Sequence, residues 1–439
     1  MTTDRRHRSQ TRSVRLLTTL SLMAMAAVTI LGAGQPASAS ISQPTVTSEI
    51  PSNKTPHAID DGVVANAAVN SFSQDGSTMY AGGRFHTVQN PARTISYTRD
   101  DLFSFDIATG TPTSWNPSVN GEVMRTLAAG GFLYVGGKFS TANGVSNHLV
   151  RYSLSTGQID AGFSPAATGG AGAVTDLEFV AGRLIVSGSF PKRIVALNTS
   201  TGGDTGYINL SVAGSVSSKA GPVSVFRFAV NPAATRLVGI GNFTTVDGAI
   251  RTRAFMLDLG TSSATLDAWY YQPLTKMCQA ASLPDYLRDV DFSPDGSYFV
   301  IASTGYVSQS GDLFSTICDA VARFETSIAN PTKPTWINYT GGDTLWSVAA
   351  VGAAVYVGGH QRWLNNPQGH DSAGPGAVER PGVGAVSSTT GLALSWNPTK
   401  TRGVGLKFIY PTSTGVWFGS DGRLFHGTVH DSIAFTPLP

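Results

Sequence analysis

The sequence predicts an all-β fold, a seven-bladed β-propeller of four-stranded antiparallel blades. Three observations predict it: an apolar, glycine-containing heptapeptide recurs seven times, turn signals precede its copies, and a glycine turn followed by an aromatic residue closes most units. The copies are MYAGGRF, LYVGGKF, LIVSGSF, LVGIGNF, YFVIAST, VYVGGHQ and VWFGSDG, beginning at residues 79, 133, 184, 237, 298, 355 and 416. Consecutive copies lie 51 to 61 residues apart, which is the spacing expected of propeller blades.

The four strands of a unit follow in order in the second copy. Residues 123–128 alternate apolar and polar side chains, and Gly130-Gly131 then makes a hairpin turn into residues 132–139. A polar loop leads to a third strand over residues 148–154. The turn Ser155-Thr156-Gly157 then starts a fourth strand near residues 159–163. We expect the paired glycines of the heptapeptide to allow close packing between blades.

The first 39 residues have the pattern of a cleaved export signal. Five arginines and one acid precede an apolar run of 17 residues that starts at Leu16, and Ala37-Ser38-Ala39 has the small-x-small form of a cleavage site. A retained membrane anchor is the alternative, because the run is near the lower limit for spanning a bilayer. The sequence therefore predicts a secreted, extracellular protein with no membrane attachment after cleavage.

Cleavage also changes the charge. Removing those residues from a total of 30 basic and 28 acidic side chains leaves 25 and 27 in a mature chain of 400 residues. A net charge of −2 without a Lys/Arg cluster argues against a nucleic-acid partner. Because export leads to an oxidising compartment, Cys278 and Cys318, the two cysteines of the chain, are predicted to form a disulfide.

The repeat resembles a known family. Units such as LYVGGKFSTANGVSNHLVRYSLSTGQIDAGF resemble secreted bacterial β-propeller repeats of the delta-60 type, which are Kelch-like in plan. The likeness covers residues 63–439, and it implies the fold without implying a reaction or catalytic residues. Residues 40–62 are expected to form an extended N-terminal segment. The seventh unit is expected to hold all four of its strands, ending at residues 433–437, so that closure borrows no strand from the N-terminus.

Candidate functional residues come from two loops that are longer than the repeat requires. One loop, after the sixth heptapeptide, concentrates polar and aromatic groups: His360, Arg362, Trp363, Asn365, Asn366, His370 and Asp371. The other lies around Cys278 and contributes Arg288 and Asp289. Trp363 offers a flat apolar face for a sugar ring, and the amides and Arg362 offer hydrogen bonds to hydroxyls or carboxylates.

The same residues allow other interpretations. Trp363 and the amides could instead pack the loop and satisfy its backbone. His360, His370 and Asp371 could bind a metal, or His370 and Asp371 could form an acid/base pair, although no metal or cofactor is predicted. Acids that occur about once per unit, such as Asp106, Asp176 and Asp291, could meet at the axis as a carboxylate pair for glycoside chemistry.

Two functions follow as expectations. The first is a secreted binding or scaffold protein that recognises a glycan, cell-wall material or another protein through loops at one end of the propeller. The second is an extracellular carbohydrate-active enzyme, a hydrolase, lyase or oxidase, with its site at the axial channel. The sequence assigns no catalytic residue for the second.

Overall fold

In the computed structural model the chain divides into two compact units, Met1–Ala33 and Gly34–Pro439. The structure describes residues 1–2, 41–278, 286–307 and 315–439, so nearly all of the predicted export signal lies outside the described residues. The described part of the second unit is all-β, with antiparallel sheets and three short 3₁₀ helices. Within those residues, no helix has the length and hydrophobicity needed to cross a bilayer.

Seven sheets of three or four strands follow one another along the chain, one for each heptapeptide, and are numbered 1 to 7. In each sheet the first strand pairs with the second, and the second with the third. The strands are Ala68–Asp75, Thr78–Arg84 and Leu102–Asp106 in sheet 1; Val123–Ala129, Phe132–Gly137 and Leu149–Ser153 in sheet 2; Val174–Val180, Arg183–Gly188 and Ile194–Asn198 in sheet 3; Ser224–Val230, Arg236–Asn242, Ala254–Leu259 and Ala264–Leu266 in sheet 4; Leu287–Phe292, Tyr298–Ser303, Ala320–Glu325 and Trp336–Tyr339 in sheet 5; Leu345–Ala350, Val355–Gly359 and Val383–Val386 in sheet 6; and Leu406–Thr412, Gly415–Ser420 and Ile433–Pro437 in sheet 7.

Small ribbons lie in five of the segments between a second and a third strand. They are Thr87–Gln89 with Ser96–Thr98, Thr141–Ala142 with Val145–Ser146, Thr245–Val246 with Ala249–Ile250, Trp363–Leu364 with Val378–Glu379, and Leu424–Phe425 with Thr428–Val429. His57–Ile59 and Val212–Ala213, which precede the first strands of sheets 1 and 4, add a third strand to the first and third of these ribbons. The 3₁₀ helices are Ala166–Thr168, Ser218–Ala220 and Gln272–Thr275. The sequence pattern did not predict the ribbons, because two-residue strands are too short to show alternation.

The first three strands predicted for the second unit agree with the structure to within a residue or two. The predicted fourth strand is shorter, since it is reduced to a single bridge between Tyr152 and Ile159. Equivalent single bridges occur in sheets 1, 3 and 6. Four full strands are therefore present in sheets 4 and 5 of the described chain.

The first glycine of each heptapeptide pair is explained by contacts between sheets, whereas a Cβ on the second, Gly83, Gly137 or Gly359, would overlap backbone at the start of the first strand of its own sheet. A Cβ on Gly82 would overlap Val123, and a Cβ on Gly136 would overlap Val174, which in each case begins the first strand of the next sheet. Gly358 stands in the same relation to Leu406. The absence of a side chain lets an aliphatic residue of the next sheet pack against the strand, as the sequence predicts.

The hydrophobic core lies between consecutive sheets. One cluster joins Tyr134 and Leu149 of sheet 2 to Leu177 and Val186 of sheet 3. Equivalent clusters join the other sheets, and the cluster around Phe72 of sheet 1 includes Trp417 of sheet 7, whose ring centroid is 5.9 Å from that of Phe72. The last sheet of the chain therefore packs against the first.

The N-terminal segment binds the last strand, which differs from expectation. Sheet 7 contains three strands, because its ribbon pairs with itself rather than adding to the sheet. The amides of Ser48 and Ser52 donate hydrogen bonds of 2.8 and 2.7 Å to the carbonyls of Pro437 and Phe435. The expectation of four strands in the seventh unit was therefore wrong, and residues 48–52 cover the outer edge of that sheet.

The predicted disulfide is present. Cys278 and Cys318 are both buried and bonded, with their Cα atoms 5.8 Å apart. Cys278 precedes the first strand of sheet 5 and Cys318 precedes its third strand, so the bond joins two segments at one end of that sheet. A disulfide is consistent with an oxidising, extracellular compartment.

Candidate functional site

Polar side chains join the first strands of neighbouring sheets. Asp176 of sheet 3 accepts a 3.0 Å hydrogen bond from the amide of Phe228 in sheet 4. The same kind of bond runs from the amides of Thr126, Ala128, Val348 and Ala350 to Ser71, Ser73, Asp289 and Asp291 respectively. Edge amides that are buried need such acceptors. The matching register shows that these neighbouring first strands run side by side in the same direction.

Each of the seven first strands contains a β-bulge near its start. The pairing with the second strand skips one residue in every sheet. These bulge residues are Asn70, Met124, Thr175, Phe226, Arg288, Trp346 and Lys407. A bulge re-aims the side chain at its position and is frequent beside functional sites.

The long connections gather at the same end as the bulges. Because the strands are antiparallel, the start of the first strand, the end of the second and the start of the third share one end of each sheet. The five ribbons, the disulfide and the loop that begins at His360 all lie in the connections at this end. We call it the loop end, and it is where a binding surface would be built.

Three bulge residues of consecutive sheets stack on one another at the loop end. The guanidinium of Arg288 lies 3.6 Å from the ring centroid of Trp346, and the ammonium of Lys407 lies 3.7 Å from that same ring. Tyr286 covers Arg288 as well, at 4.0 Å. We call Arg288, Trp346 and Lys407 the cation–tryptophan cluster. Arg288 was predicted as a site residue, whereas Trp346 and Lys407 were not.

A second group of charges lies one position further along the first strands. Arg125 of sheet 2 pairs with Asp176 at 2.5 Å, and its guanidinium lies 4.3 Å from the ring of Phe408 in sheet 7. Burial raises the pKa of Asp289 in sheet 5 to about 6, against the opposing charges of Arg227 and Arg125. Residues of sheets 2, 3, 4, 5 and 7 thus face one shared interior region.

The acids of this interior region are buried and accept hydrogen bonds from backbone amides. Burial raises the pKa of Asp291 to about 7 and raises that of Glu178 well above its usual value. Asp291 also accepts the Ala350 amide at 2.8 Å. Asp106, another acid considered for the axis, instead accepts the Thr109 amide in the turn after its strand. The structure therefore brings Asp176, Asp289 and Asp291 together and leaves Asp106 apart.

Arg362, in the predicted loop, is the centre of an ion-pair network. Its guanidinium donates two hydrogen bonds to Asp343, of 2.9 and 3.0 Å, and pairs with Asp371. Arg402 donates to the same Asp343 carboxylate at 2.9 Å. Arg362 also lies over the ring of Trp363, with 4.5 Å between guanidinium and ring centroid. This network fixes the loop that begins at His360 and accounts for Arg362 and Asp371 structurally.

The amides and His360 are likewise used by the fold. The buried Asn366 side chain donates to the Thr340 and Ser372 carbonyls and accepts the Gly374 amide. Asn365 bonds the Asn338 side chain. His360 accepts the Thr344 amide at 3.1 Å, and burial lowers its pKa, so the fold holds it neutral.

Among the predicted site residues, His370 and Asp371 are exposed to solvent. His370 lies edge-on to Tyr306, with ring centroids 6.3 Å apart, and does not pair with Asp371, which binds Arg362. Trp363 is half-buried on its ribbon. Among the described residues, no group of three His, Cys, Asp or Glu side chains could hold a metal ion.

A separate cavity of about 530 Å³ lies beside the fourth strand of sheet 5. Aromatic, proline and amide side chains line it, among them Trp336, Asn338, Asn365, Pro367 and Pro375. The indole N–H of Trp336 donates to the Ser388 carbonyl at 2.9 Å. Asn365 is the one predicted site residue on this wall, and it belongs to the cavity rather than to the cation–tryptophan cluster.

Comparison with known proteins assigns no family to the chain. No family model matches it, and no curated protein matches it. Among solved structures, the crystal structure of the computationally designed protein Ika8 aligns with a TM-score of 0.46 at 12% identity, covering 85% of this chain and 98% of the designed one. A function can therefore be inferred only from the residues of this chain.

Proposed function

We propose that this protein is a secreted binding or scaffold protein that holds a glycan or cell-wall material at the loop end of a seven-bladed β-propeller of the delta-60, Kelch-like type. The observation that carries the proposal is the gathering of long connections and bulge residues at one end of the seven sheets. Loops on a rigid β scaffold are the usual place for recognition.

The ring of blades is supported by contacts between the sheets. Each first strand contacts the first strand of the next sheet, and that of sheet 7 contacts that of sheet 1. The amide of Gln74 in sheet 1 donates to the Tyr410 hydroxyl of sheet 7 at 3.3 Å. Arg125 and Phe408, which belong to sheets 2 and 7, also meet in the interior. A closed ring around a central channel accounts for all of these contacts.

Secretion is supported by the sequence and by the disulfide. The arginine-rich start, apolar run and Ala37-Ser38-Ala39 site have the order of an export signal. The Cys278–Cys318 bond suits an oxidising compartment.

The interior acids bear on the choice between binding and catalysis. Asp176, Asp289 and Asp291 each accept a backbone amide of the next sheet, which gives them a structural role. The raised pKa values of Asp289 and Asp291 are the observation that favours the alternative, an extracellular carbohydrate-active enzyme with its site at the channel. Binding is the better supported function, because the buried acids are already engaged.

Glycan binding can be tested with residues 40–439 on a glycan array and in a cell-wall pulldown. We expect binding by the wild type and a weaker signal from Trp363→Ala. Ile250→Ala is a matched control, because it removes an exposed apolar side chain from the equivalent ribbon of sheet 4. Equal signals from wild type and Trp363→Ala would remove Trp363 from the site. No signal from the wild type on any glycan or wall preparation would contradict the proposed function.

Catalysis needs its own assay. The mature protein is incubated with the polysaccharides that it binds, and reducing ends and unsaturated products are measured. A binding protein releases neither. Product that forms with the wild type and is lost in Asp291→Asn would favour the enzyme instead.

A further inference from the structure

Arg288 is a buried cation without a hydrogen-bond acceptor among the described residues. Only 7% of Arg288 is exposed to solvent, and its Nε atom is enclosed without a hydrogen-bond acceptor among those residues. The side chain lies between the rings of Tyr286 and Trp346, at 4.0 and 3.6 Å. A guanidinium has five donors and stays charged in proteins, so leaving it unpaired in the interior costs free energy.

The two neighbours of Arg288 in the cation–tryptophan cluster are also unpaired. Lys407 makes neither an ion pair nor a hydrogen bond with any residue that the structure describes, and its ammonium lies 3.7 Å from the Trp346 ring. The indole N–H of Trp346 is enclosed as well, and it has no hydrogen-bond acceptor among the described residues. Burial lowers the pKa of Arg288 to about 10 and that of Lys407 to about 8, and it outweighs the opposing charges of Asp319 and Asp421.

Asp421 and Asp319, the acids whose charges act most strongly on Lys407 and Arg288 respectively, are engaged elsewhere. Asp421 accepts the amides of Val404 and Gly405 at 2.7 and 3.0 Å. Asp319 accepts those of Gly305 and Tyr306 at 3.0 and 2.8 Å. Both carboxylates are therefore tied to backbone, and neither reaches Arg288 or Lys407 as an ion-pair partner.

We propose that the cation–tryptophan cluster is an oxyanion site, which takes the carboxylate or phosphate-ester group of an acidic glycan. Arg288 supplies a planar fork that matches an oxyanion, and Lys407 adds a second positive charge. Both are bulge residues at the loop end, where a bound ligand would enter. The glycan part of this inference rests on the proposed function, whereas the oxyanion part does not.

The test uses residues 40–439 and two kinds of probe. Glucuronate and inorganic phosphate, with glucose as the neutral comparison, report the oxyanion site through the shift in melting temperature that a ligand causes. A uronate-containing oligosaccharide and a neutral one of equal length report glycan binding by calorimetry. Lys407→Met keeps the apolar stem, Arg288→Lys keeps the charge without the fork, and Lys192→Met is a control with the same charge loss at the loop end of sheet 3.

We expect the acidic oligosaccharide to bind at least about tenfold more tightly than the neutral one, since it gains a charge-assisted hydrogen bond. Lys407→Met and Arg288→Lys should each remove most of that preference, whereas Lys192→Met should keep it. The relative effect of glucuronate and phosphate identifies the preferred group. Circular dichroism shows which variants are folded, and Lys407→Met serves if Arg288→Lys does not fold.

Equal affinity for the two oligosaccharides, or an unchanged preference in Lys407→Met, would overturn the oxyanion site and leave the proposed function in place. Stabilisation by glucuronate or phosphate that Lys407→Met abolishes, without binding of either oligosaccharide, would support the oxyanion site and contradict glycan binding. If neither oligosaccharide binds and neither glucuronate nor phosphate stabilises the protein, both the oxyanion site and the proposed glycan binding would be overturned.

Discussion

The carboxylate of Asp289, in the first strand of sheet 5, accepts a 3.0 Å hydrogen bond from the amide of Val348, in the first strand of sheet 6. The first strand has a partner strand on one side only, so some of its amides would otherwise be buried without acceptors. Ser71 plays the same part toward Thr126 in sheet 2. Hydroxyls and carboxylates in the interior thus hold neighbouring sheets together.

Asp289→Ala is expected to lower the free energy of unfolding by about 1–3 kcal/mol, because it leaves the Val348 amide buried and unpaired. Asp289→Asn keeps an oxygen acceptor and should cost less. Asp258→Ala, at a carboxylate that is half exposed beside Arg236, should change stability by less than about 1 kcal/mol. Urea unfolding at pH 4.5 measures all three, because the raised pKa of Asp289, about 6, keeps its carboxyl mainly protonated in the folded protein at that pH. Equal losses in Asp289→Ala and Asp289→Asn would show that the hydrogen bond is not the cause.

The strands were predictable because the repeat shows alternation, turns and glycines seven times. The bulges were not, because a residue such as Trp346 or Lys407 looks like any other member of a strand. One signal was present: both stand ten residues before the second residue of their heptapeptide, Tyr356 and Trp417. Arg288 was chosen as a loop residue, yet it lies within the first strand of sheet 5. These positions depend on hydrogen bonds between sheets. Such bonds join residues that are far apart in the sequence, so a local sequence pattern does not reveal them.

The predicted loop shows the other limit of sequence reasoning. Its polar residues suggested a ligand, but Asn366 is fully buried, and its side chain is satisfied by backbone groups of Thr340, Ser372 and Gly374. Arg362 is bound to Asp343, an acid outside the predicted set. Loops without regular pairing need such side chains to satisfy their backbone, so their composition resembles that of a binding site.

Gly358→Ala is expected to destabilise the fold by about 1–3 kcal/mol, because the added Cβ overlaps the Leu406 side chain of the next sheet. Ser187→Ala is the matched control. Ser187 occupies the same register in sheet 3, opposite the residue after the bulge, and its buried hydroxyl has no partner among the described residues. Its removal should be neutral or slightly stabilising. Thermal unfolding compares the two, and a similar loss in both would contradict the packing argument.

The N-terminal segment gives a third prediction. The buried Thr47 hydroxyl lies 2.7 Å from that of Thr436 in the last strand, and the Thr47 amide donates to Tyr356 at 2.8 Å. Thr47→Val should lower the free energy of unfolding by about 1–3 kcal/mol, because Thr436 loses its partner. Thr45→Val, at an exposed position two residues earlier, should have little effect. Hydrogen exchange at Ser48 and Ser52 should rise in Thr47→Val alone, and unchanged exchange would show that the segment is held elsewhere.

Asp291 should make stability depend on pH. Burial, opposed by the amides of Ala350 and Phe292 and reinforced by the charge of Asp289, raises its pKa from 3.8 to about 7. Between these values the folded state binds more protons than the unfolded state, so the contribution of Asp291 to stability falls as the pH rises from about 4 to 7. Asp291→Asn cannot ionise, so its stability relative to the wild type should increase over that window.

Urea unfolding of wild type, Asp291→Asn and Asp289→Asn at pH 4.5, 6 and 7.5 tests this dependence. Burial raises the pKa of Asp289 to about 6, so the gain in Asp289→Asn should level off at a lower pH than that in Asp291→Asn. Because the two carboxylates lie two residues apart on one strand and influence each other, the double variant should show less than the sum of the two gains. Parallel stability curves for wild type and Asp291→Asn would mean that this carboxyl is hydrated in the folded protein, which would place water in the interior that the acids share.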